Sequence, residues 1–307
     1  MKACARRSVR LTGTLLAFIF LSATSPGFAQ APARVSSITW ISSEPLSHAA
    51  SHAASHAEAN GPMVTRPFLE TLADHLKAQW PEARHAVVSS NAKRAWQLIA
   101  SGEQACLLSA VRTAERERTA YFSNTLIGPP QQLIVRRDKQ SALPRHPNGE
   151  VDLPRLLADE RLRGAVVEAR SYGTAVDAAL EKAAKNANVA RYATSDYGSR
   201  ILNMLSLGRA DYTIGYEVSV TPDVAGALVS EPIAGSSALV IAGIACPRNA
   251  WGLTVIRKVE QILGTPSGAA LLQREAESWL ATPETRKRYG PQIEAFYRQR
   301  AKPAPIP

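Results

Sequence analysis

After its N-terminal segment the sequence lacks any apolar run long enough to cross a membrane. The hydrocarbon core of a bilayer takes about 20 mostly apolar residues to span, and the apolar run at residues 11–23 falls short of that length. No stretch beyond it is longer or more apolar. The mature chain is therefore not expected to contain a transmembrane helix.

That short run has the features of a cleavable export signal. It follows four basic residues without an acid and precedes small residues at Gly27 and Ala29, where a signal peptidase would cut. We expect residues 1–29 to be a signal peptide and the mature protein to be periplasmic. A retained N-terminal anchor is the alternative.

Positive charge is in excess, but the sequence lacks a basic cluster. The formal net charge of +10 falls to +6 once the four basic residues of the signal are removed. The remaining basic residues alternate with acids, as in the stretch 112–118 with Glu115 and Glu117. A nucleic-acid-binding protein concentrates such residues on one face, so we expect a solvated basic surface and no nucleic-acid partner.

Cysteine is scarce as well. Of the three cysteines, Cys4 lies in the signal peptide, which leaves Cys106 and Cys246. In an oxidising compartment, two cysteines far apart in sequence indicate a disulfide more than a nucleophile or a metal site. Two buried free thiols are the alternative.

The order of predicted elements indicates an α/β fold. Short apolar runs predict strands, as at 37–41, and a 3.6-residue apolar periodicity predicts helices, as at 68–80. This alternation predicts mostly parallel sheets flanked by helices. A turn-rich stretch at 138–149 interrupts it and predicts two lobes.

Four short motifs occur in order along the mature chain. They are Thr113-Ala114-Glu115-Arg116 followed by Tyr121-Phe122-Ser123, then Arg170-Ser171-Tyr172-Gly173-Thr174, then Gly208-Arg209-Ala210-Asp211-Tyr212, and last Ala245-Cys246-Pro247-Arg248. Together they resemble the family 3 extracellular solute-binding proteins, which have the two-lobed type II periplasmic-binding-protein fold. The resemblance implies a monomer without a cofactor that closes around a small molecule, working with an ABC permease or as a sensor ectodomain.

The resemblance also implies where the chain passes between lobes. The first lobe would comprise residues 30–136 and 235–307, and the second residues 137–234, with the ligand bound between them and the hinge at the two crossings. Cys106 and Cys246 would then lie on neighbouring strands of the first lobe.

The same resemblance assigns candidate ligand-binding residues in both lobes. Arg116 would clamp a ligand carboxylate from a helix that begins at Thr113. Ser171, Tyr172 and Thr174 would bind the anion at a second helix start. The alternatives are an exposed arginine paired with a neighbouring acid and a plain helix cap.

Tyr216, Glu217 and Trp40 are three further candidate ligand-binding residues. Tyr216 occupies a position where amino-acid-binding members often have an acid for the ligand's ammonium, and Glu217 is its neighbour. Members also often have Ser or Thr where this chain has Val111. Trp40 ends the first strand and would either stack on a ligand or pack in the core. The ligand is therefore expected to be small, polar, carboxylate-bearing and amino-acid-like, either anionic or zwitterionic, with its identity open.

A Ser/His/Ala-rich insert at residues 47–60 offers a different function. His48, His52 and His56 recur every four residues, so a helix would place their imidazoles on one face, where they could hold Zn²⁺, Ni²⁺ or Cu²⁺. A solvated loop insertion is the simpler interpretation, and no metal is expected.

Catalysis is the remaining alternative, in the form of a periplasmic dehydratase-like enzyme. It would need a general base in the cleft, for which Glu217 is the candidate, without an evident partner. The matched positions otherwise supply groups that hold a ligand and no nucleophile–base pair. We therefore expect a binding protein and not an enzyme.

Overall fold

The computed structural model describes residues 35–43, 68–196, 198–221, 224–280 and 282–300. The predicted signal peptide and the histidine-rich insert, with His48, His52 and His56, lie outside these residues. None of the described helices combines the length and hydropathy that a membrane crossing requires.

The described strands are, in chain order, β1 (Ser37–Ser42), β2 (Arg84–Ser89), β3 (Ala105–Val111), β4 (Ala120–Phe122), β5 (Leu126–Gly128), β6 (Gln132–Arg136), β7 (Gly164–Val167), β8 (Val189–Tyr192), β9 (Tyr212–Gly215), β10 (Leu228–Glu231) and β11 (Val240–Pro247). The described α-helices are α1 (Phe68–Gln79), α2 (Ala92–Ala100), α3 (Ala114–Glu117), α4 (Leu153–Leu157), α5 (Thr174–Lys182), α6 (Ser199–Ser206), α7 (Ala250–Leu263), α8 (Pro266–Ser278) and α9 (Pro283–Arg300).

These strands form two sheets, one for each predicted lobe. The first has the order β2-β1-β3-β11-β4, with β5 also paired to β11, and the second has the order β10-β6-β9-β7-β8. Only the pairings of β1 with β2 and β3, and of β7 with β8 and β9, are parallel. The sheets are thus mixed and not mostly parallel as predicted, because the strands at the two crossings, β5, β6, β10 and β11, pair antiparallel.

Helices cover both faces of each sheet, and their apolar positions build the cores. In the first lobe α1 contributes Leu69, Leu72 and Leu76 to a core that α7, α8 and α9 complete. Helix α2 covers the opposite face, where its Asn91 cap accepts a hydrogen bond from the Arg94 amide. In the second lobe α5 and α6 lie over different core clusters. Each lobe is therefore a three-layer sandwich.

The first crossing between the sheets lies earlier than predicted. Strand β6 pairs with β9 and β10 of the second sheet, so the chain leaves the first sheet between Gly128 and Gln132, and not after residue 136. The second passage lies between Glu231 and Val240. The apolar run at 133–135 predicts a strand but carries no information about which sheet it joins, which explains the misplaced boundary.

The first lobe contains a disulfide between Cys106 on β3 and Cys246 on β11, with the Cα atoms 4.4 Å apart. The bridge expected from the motif order is therefore present. It joins two adjacent strands that are 140 residues apart in sequence. Both halves of the first lobe are thereby covalently connected across the inserted second lobe.

The backbone near Ser123 lies so close to Gly243 on β11 that this position requires glycine. The strand register shifts at the same place, between Gly243 and Ala245. A Cβ atom there would lie 1.6 Å from the Ser123 carbonyl oxygen. We expect Gly243→Ala to lower the free energy of unfolding by about 1–3 kcal/mol, the usual cost of overpacking, in a urea titration. Gly226→Ala, where the added Cβ meets open space, is the matched control, and equal midpoints for the two variants would contradict this prediction.

Candidate functional site

A cavity of about 80 Å³ lies between the two sheets and is lined from both lobes. One ordered water needs about 10–15 Å³ of cavity volume, so a cavity of this size holds only a small molecule. The first lobe contributes a mainly apolar wall that includes Leu107, Ile127 and Val240. The second lobe contributes five lining residues, which are Val167, Arg170, Ser171, Thr194 and Tyr216.

Arg116 spans this cavity from the first lobe to the second. The Thr113 hydroxyl caps α3 by accepting the Arg116 amide at 3.3 Å, which fixes where the arginine leaves the backbone. Its guanidinium donates to the Val111 carbonyl and, across the cleft, to the Ala169 carbonyl, each at 3.0 Å. The guanidinium also lies over the Trp96 ring, 4.6 Å from its centroid. Both lobes therefore hold this side chain in place.

The charge of Arg116 is partly desolvated. Burial lowers the pKa of Arg116 to about 10 and the charge of Arg170 lowers it as well, whereas the charges of Asp177 and Glu115 oppose the shift. The group remains a cation at neutral pH. Among the described residues it forms no ion pair, and its partners are the two carbonyls and the Trp96 ring. A half-buried cation that donates its hydrogen bonds to neutral acceptors is suited to receive an anion.

The cavity also contains groups that the sequence analysis did not select. Arg170 lines it from the second lobe, 5.9 Å from the Tyr216 ring centroid. Trp279, at the end of α8, packs edge-to-face on Tyr216 at 4.5 Å, and its indole N–H donates to Glu275 at 2.9 Å. Together with Trp96, these two rings are the three aromatic walls of the cavity. Arg170 is the first residue of one of the four motifs, whereas the tryptophans lie at helical positions typical of core packing.

The helix start predicted to bind an anion is occupied by the protein's own carboxylate. Asp177 of α5 accepts hydrogen bonds from the Ser171 hydroxyl and, at 2.7 Å, from the Tyr172 amide. Ser171 lines the cavity, but Thr174 is exposed and not among the lining residues. Tyr172 is buried, and its hydroxyl accepts the Val167 amide at 2.7 Å. This corrects the predicted ligand contacts of the second lobe. Tyr172 belongs to the core, and Asp177 accepts the hydrogen bonds that a ligand anion was expected to accept.

Trp40 is likewise a core residue and not a wall of the cleft. Its side chain is fully buried, and its indole N–H donates to His85 Nδ1 at 2.8 Å. The alternative stated for Trp40, packing in the core, is the one the structure shows. β1 reaches the cavity only through Ser43, which follows it.

Glu217 connects the lobes instead of lining the cavity. The Thr285 hydroxyl of α9 donates to Glu217 at 2.6 Å, so a first-lobe helix is bonded to a second-lobe side chain. Lys93 of α2 and Glu168 form a second connection, an ion pair at 3.0 Å. In the described part of the chain, these two connections and the Arg116–Ala169 contact hold the two lobes together around the cavity.

We expect Thr285→Val to shift the ligand-free protein toward an open form. The change removes a donor to a carboxylate, and a hydrogen bond to a charged group contributes about 1.5–3 kcal/mol. Small-angle X-ray scattering should therefore report a larger radius of gyration for the variant. Thr254→Val, which removes a hydroxyl bonded only to the Ala250 carbonyl of α7, is the control, and identical scattering from both variants would contradict the prediction.

Within the described part of the chain the cavity walls contain no carboxylate. Those residues also contain no cluster of His, Cys, Asp and Glu that could hold a metal ion. The cavity therefore presents cations, hydroxyls and aromatic rings to its contents, a set of groups with the chemistry to hold an anion that has an apolar body.

No protein-family model matches the sequence, and no curated protein sequence matches it significantly. Several solved structures share its architecture. A histidine kinase sensor domain with similarity to periplasmic binding proteins is 14% identical, with a TM-score of 0.55 over 81% of this chain and 97% of that chain.

Two transport proteins are similar to the same degree. A putative L-cystine ABC transporter protein from Listeria monocytogenes is 15% identical, with a TM-score of 0.54 over 84% of this chain and 100% of that one. The arginine-, lysine-, histidine-binding protein of Geobacillus stearothermophilus is 14% identical, with a TM-score of 0.54 over 83% and 99%. The fold expected from the motifs is thereby confirmed: this chain has the two-lobed type II periplasmic-binding-protein fold.

Proposed function

We propose that the mature chain is a periplasmic solute-binding protein that captures a small carboxylate-bearing ligand between its lobes. The observation that carries this proposal is Arg116, a desolvated cation that reaches from one lobe to the other inside the cavity. A ligand that contacts both lobes favours the closed form, because only differential affinity for the two forms shifts their equilibrium.

The similar proteins support this class of function. They include an ABC transporter protein, an amino-acid-binding protein and a sensor domain. We accordingly propose that the ligand-bound form is presented either to an ABC permease or to a signalling partner, with the chain acting as a monomer. The export signal predicted at residues 1–29 supports the same compartment.

We propose a binding role without catalysis. Glu217, the only candidate base in the sequence analysis, bonds to Thr285 and does not line the cavity. No described lining residue is an acid, and the two carboxylates that accept from lining hydroxyls, Asp177 from Ser171 and Asp196 from Thr194, do not themselves line the cavity. General acid–base chemistry needs such a group within hydrogen-bond reach of the substrate.

A thermal-shift screen tests the proposal on the mature protein. The compounds are small carboxylates, amino acids and polyamines at millimolar concentration. A ligand present at a hundred times its Kd stabilises the folded state by about 2.7 kcal/mol, which is a measurable rise in Tm. We expect carboxylates to raise Tm and polyamines not to. A rise caused only by carboxylate-free cations would overturn the proposal.

A further inference from the structure

We infer that the cavity selects an organic anion without an ammonium group, and so discriminates against α-amino acids. The inference rests on the proposed function and names its ligand class: a small carboxylate with an apolar body. It follows from the charges in the cavity, from how the aromatic faces are used, and from where the nearby acids point.

The first argument is the sign of the charge inside the cavity. Arg116 enters from the first lobe and Arg170 from the second. The cavity measures about 80 Å³, so a small ligand lies close to both guanidiniums. Charges are poorly screened in such a space. A carboxylate is attracted by both arginines, whereas an ammonium group on the same small molecule is repelled by both.

The second argument concerns the aromatic walls, which would otherwise suit a ligand cation. Rings such as Trp and Tyr attract ammonium groups to their faces. Here the protein's own arginines occupy those positions. The Arg116 guanidinium lies 4.6 Å from the Trp96 centroid, and that of Arg170 lies 5.9 Å from the Tyr216 centroid. The remaining ring surface, including that of Trp279, is available to an apolar ligand body.

The third argument is that the acids near the cavity are engaged elsewhere. Asp177 accepts from the Ser171 hydroxyl and the Tyr172 amide, and Asp196 accepts from the Thr194 hydroxyl and the Gly198 amide. Glu217 accepts from Thr285, and Glu168 pairs with Lys93. The polar lining residues of the described chain are otherwise hydroxyl-bearing. A ligand ammonium would thus lose its hydration without gaining a carboxylate, which is a large penalty.

Isothermal titration of the mature protein with matched pairs of compounds tests the inference. Each pair consists of an amino acid and its deaminated counterpart: valine and 3-methylbutanoate, leucine and 4-methylpentanoate, phenylalanine and 3-phenylpropanoate. We expect the deaminated member of every binding pair to have a Kd at least tenfold lower. An amino acid that binds as tightly as its counterpart, or more tightly, overturns the inference and leaves the proposed function intact.

A failure of the proposed function gives a different result. If no carboxylate of any pair binds, the assignment of the cavity as a carboxylate site is wrong, and the inference falls with it. The two failures are therefore distinguished by whether any carboxylate binds.

Arg170→Gln separates charge selection from a merely structural role. Removing one of the two cations should reduce the preference for the deaminated compound at least threefold, because the ammonium group is then repelled less. Arg191→Gln removes a positive charge from the same lobe at a residue that bonds to the Leu180 carbonyl and does not line the cavity, so it should keep the preference. An equal loss of affinity for both members of a pair in Arg170→Gln would contradict electrostatic selection.

Discussion

Loss of the Cys106–Cys246 disulfide should lower the free energy of unfolding by about 5 kcal/mol. In the chain-entropy model the bridge stabilises by restricting the unfolded chain, and the effect grows with the length of the closed loop. The two cysteines are 140 residues apart and join β3 to β11. Such a loss is comparable to a large share of the stability of an ordinary domain.

Urea titration of the mature protein and of Cys106→Ala/Cys246→Ala measures this loss. Adding a phosphine reductant should destabilise the wild-type protein and leave the double variant unchanged, which controls for effects of the reductant itself. Because both cysteines are buried in the first-lobe core, the affinity for the ligand should change little. A loss below about 1 kcal/mol would contradict the prediction.

Arg116→Gln should weaken binding of a small carboxylate by about 2–5 kcal/mol, the usual cost of truncating one partner of a buried charge pair. This corresponds to a roughly 30-fold to several-thousand-fold higher Kd. The ligand-free variant should be nearly as stable as the wild-type protein, because glutamine removes a desolvated charge that has only two carbonyl partners. Titration calorimetry and a thermal melt measure the two quantities.

Arg118→Gln provides the control for the Arg116 variant. It removes one positive charge from the same turn of the chain, as Arg116→Gln does, but Arg118 is exposed and does not line the cavity. Its effect on Kd should be small. Equal effects of the two substitutions on affinity would show that Arg116 acts only through the general field of the protein.

The pKa of Arg116 also predicts how binding depends on pH. Burial lowers that pKa to about 10 in the ligand-free protein, and an anion binds only to the protonated, charged form. Affinity for a carboxylate should therefore be constant from pH 7 to 9 and fall as the pH rises through 10. Calorimetry across this range measures the dependence, and a steep fall below pH 8 would contradict it.

Most of the long elements could be predicted from the sequence because their periodicity is strong. Helix α1 and strand β1 each differ by one residue at the C-terminal end from the predicted ranges, 68–80 and 37–41. The strands that were missed, such as β4, β5 and β10, have three or four residues each, too few to show an alternation. The same short strands decide the sheet order, so the first crossing and the mixed pairing could not be predicted.

Cavity residues could be predicted from the sequence where they belong to or follow a recognised motif. They could not be predicted where only tertiary packing brings them to the cavity. Arg116 and Tyr216 lie at the cavity, while Trp279 comes from a C-terminal helix that no local pattern relates to the cleft. Asp177 could have been found, because acids are common in the first turn of a helix. Its presence beside Ser171 explains why the second helix start differs from the expected anion site.

The three polar connections between the lobes have a kinetic consequence. Arg116–Ala169, Lys93–Glu168 and Thr285–Glu217 form without any ligand, so closed but empty molecules are populated. A ligand must then wait for spontaneous opening, and the observed association rate should reach a plateau at high ligand concentration, at the opening rate. A transporter or sensor that recognises the closed form would consequently respond at a low level even when no ligand is present.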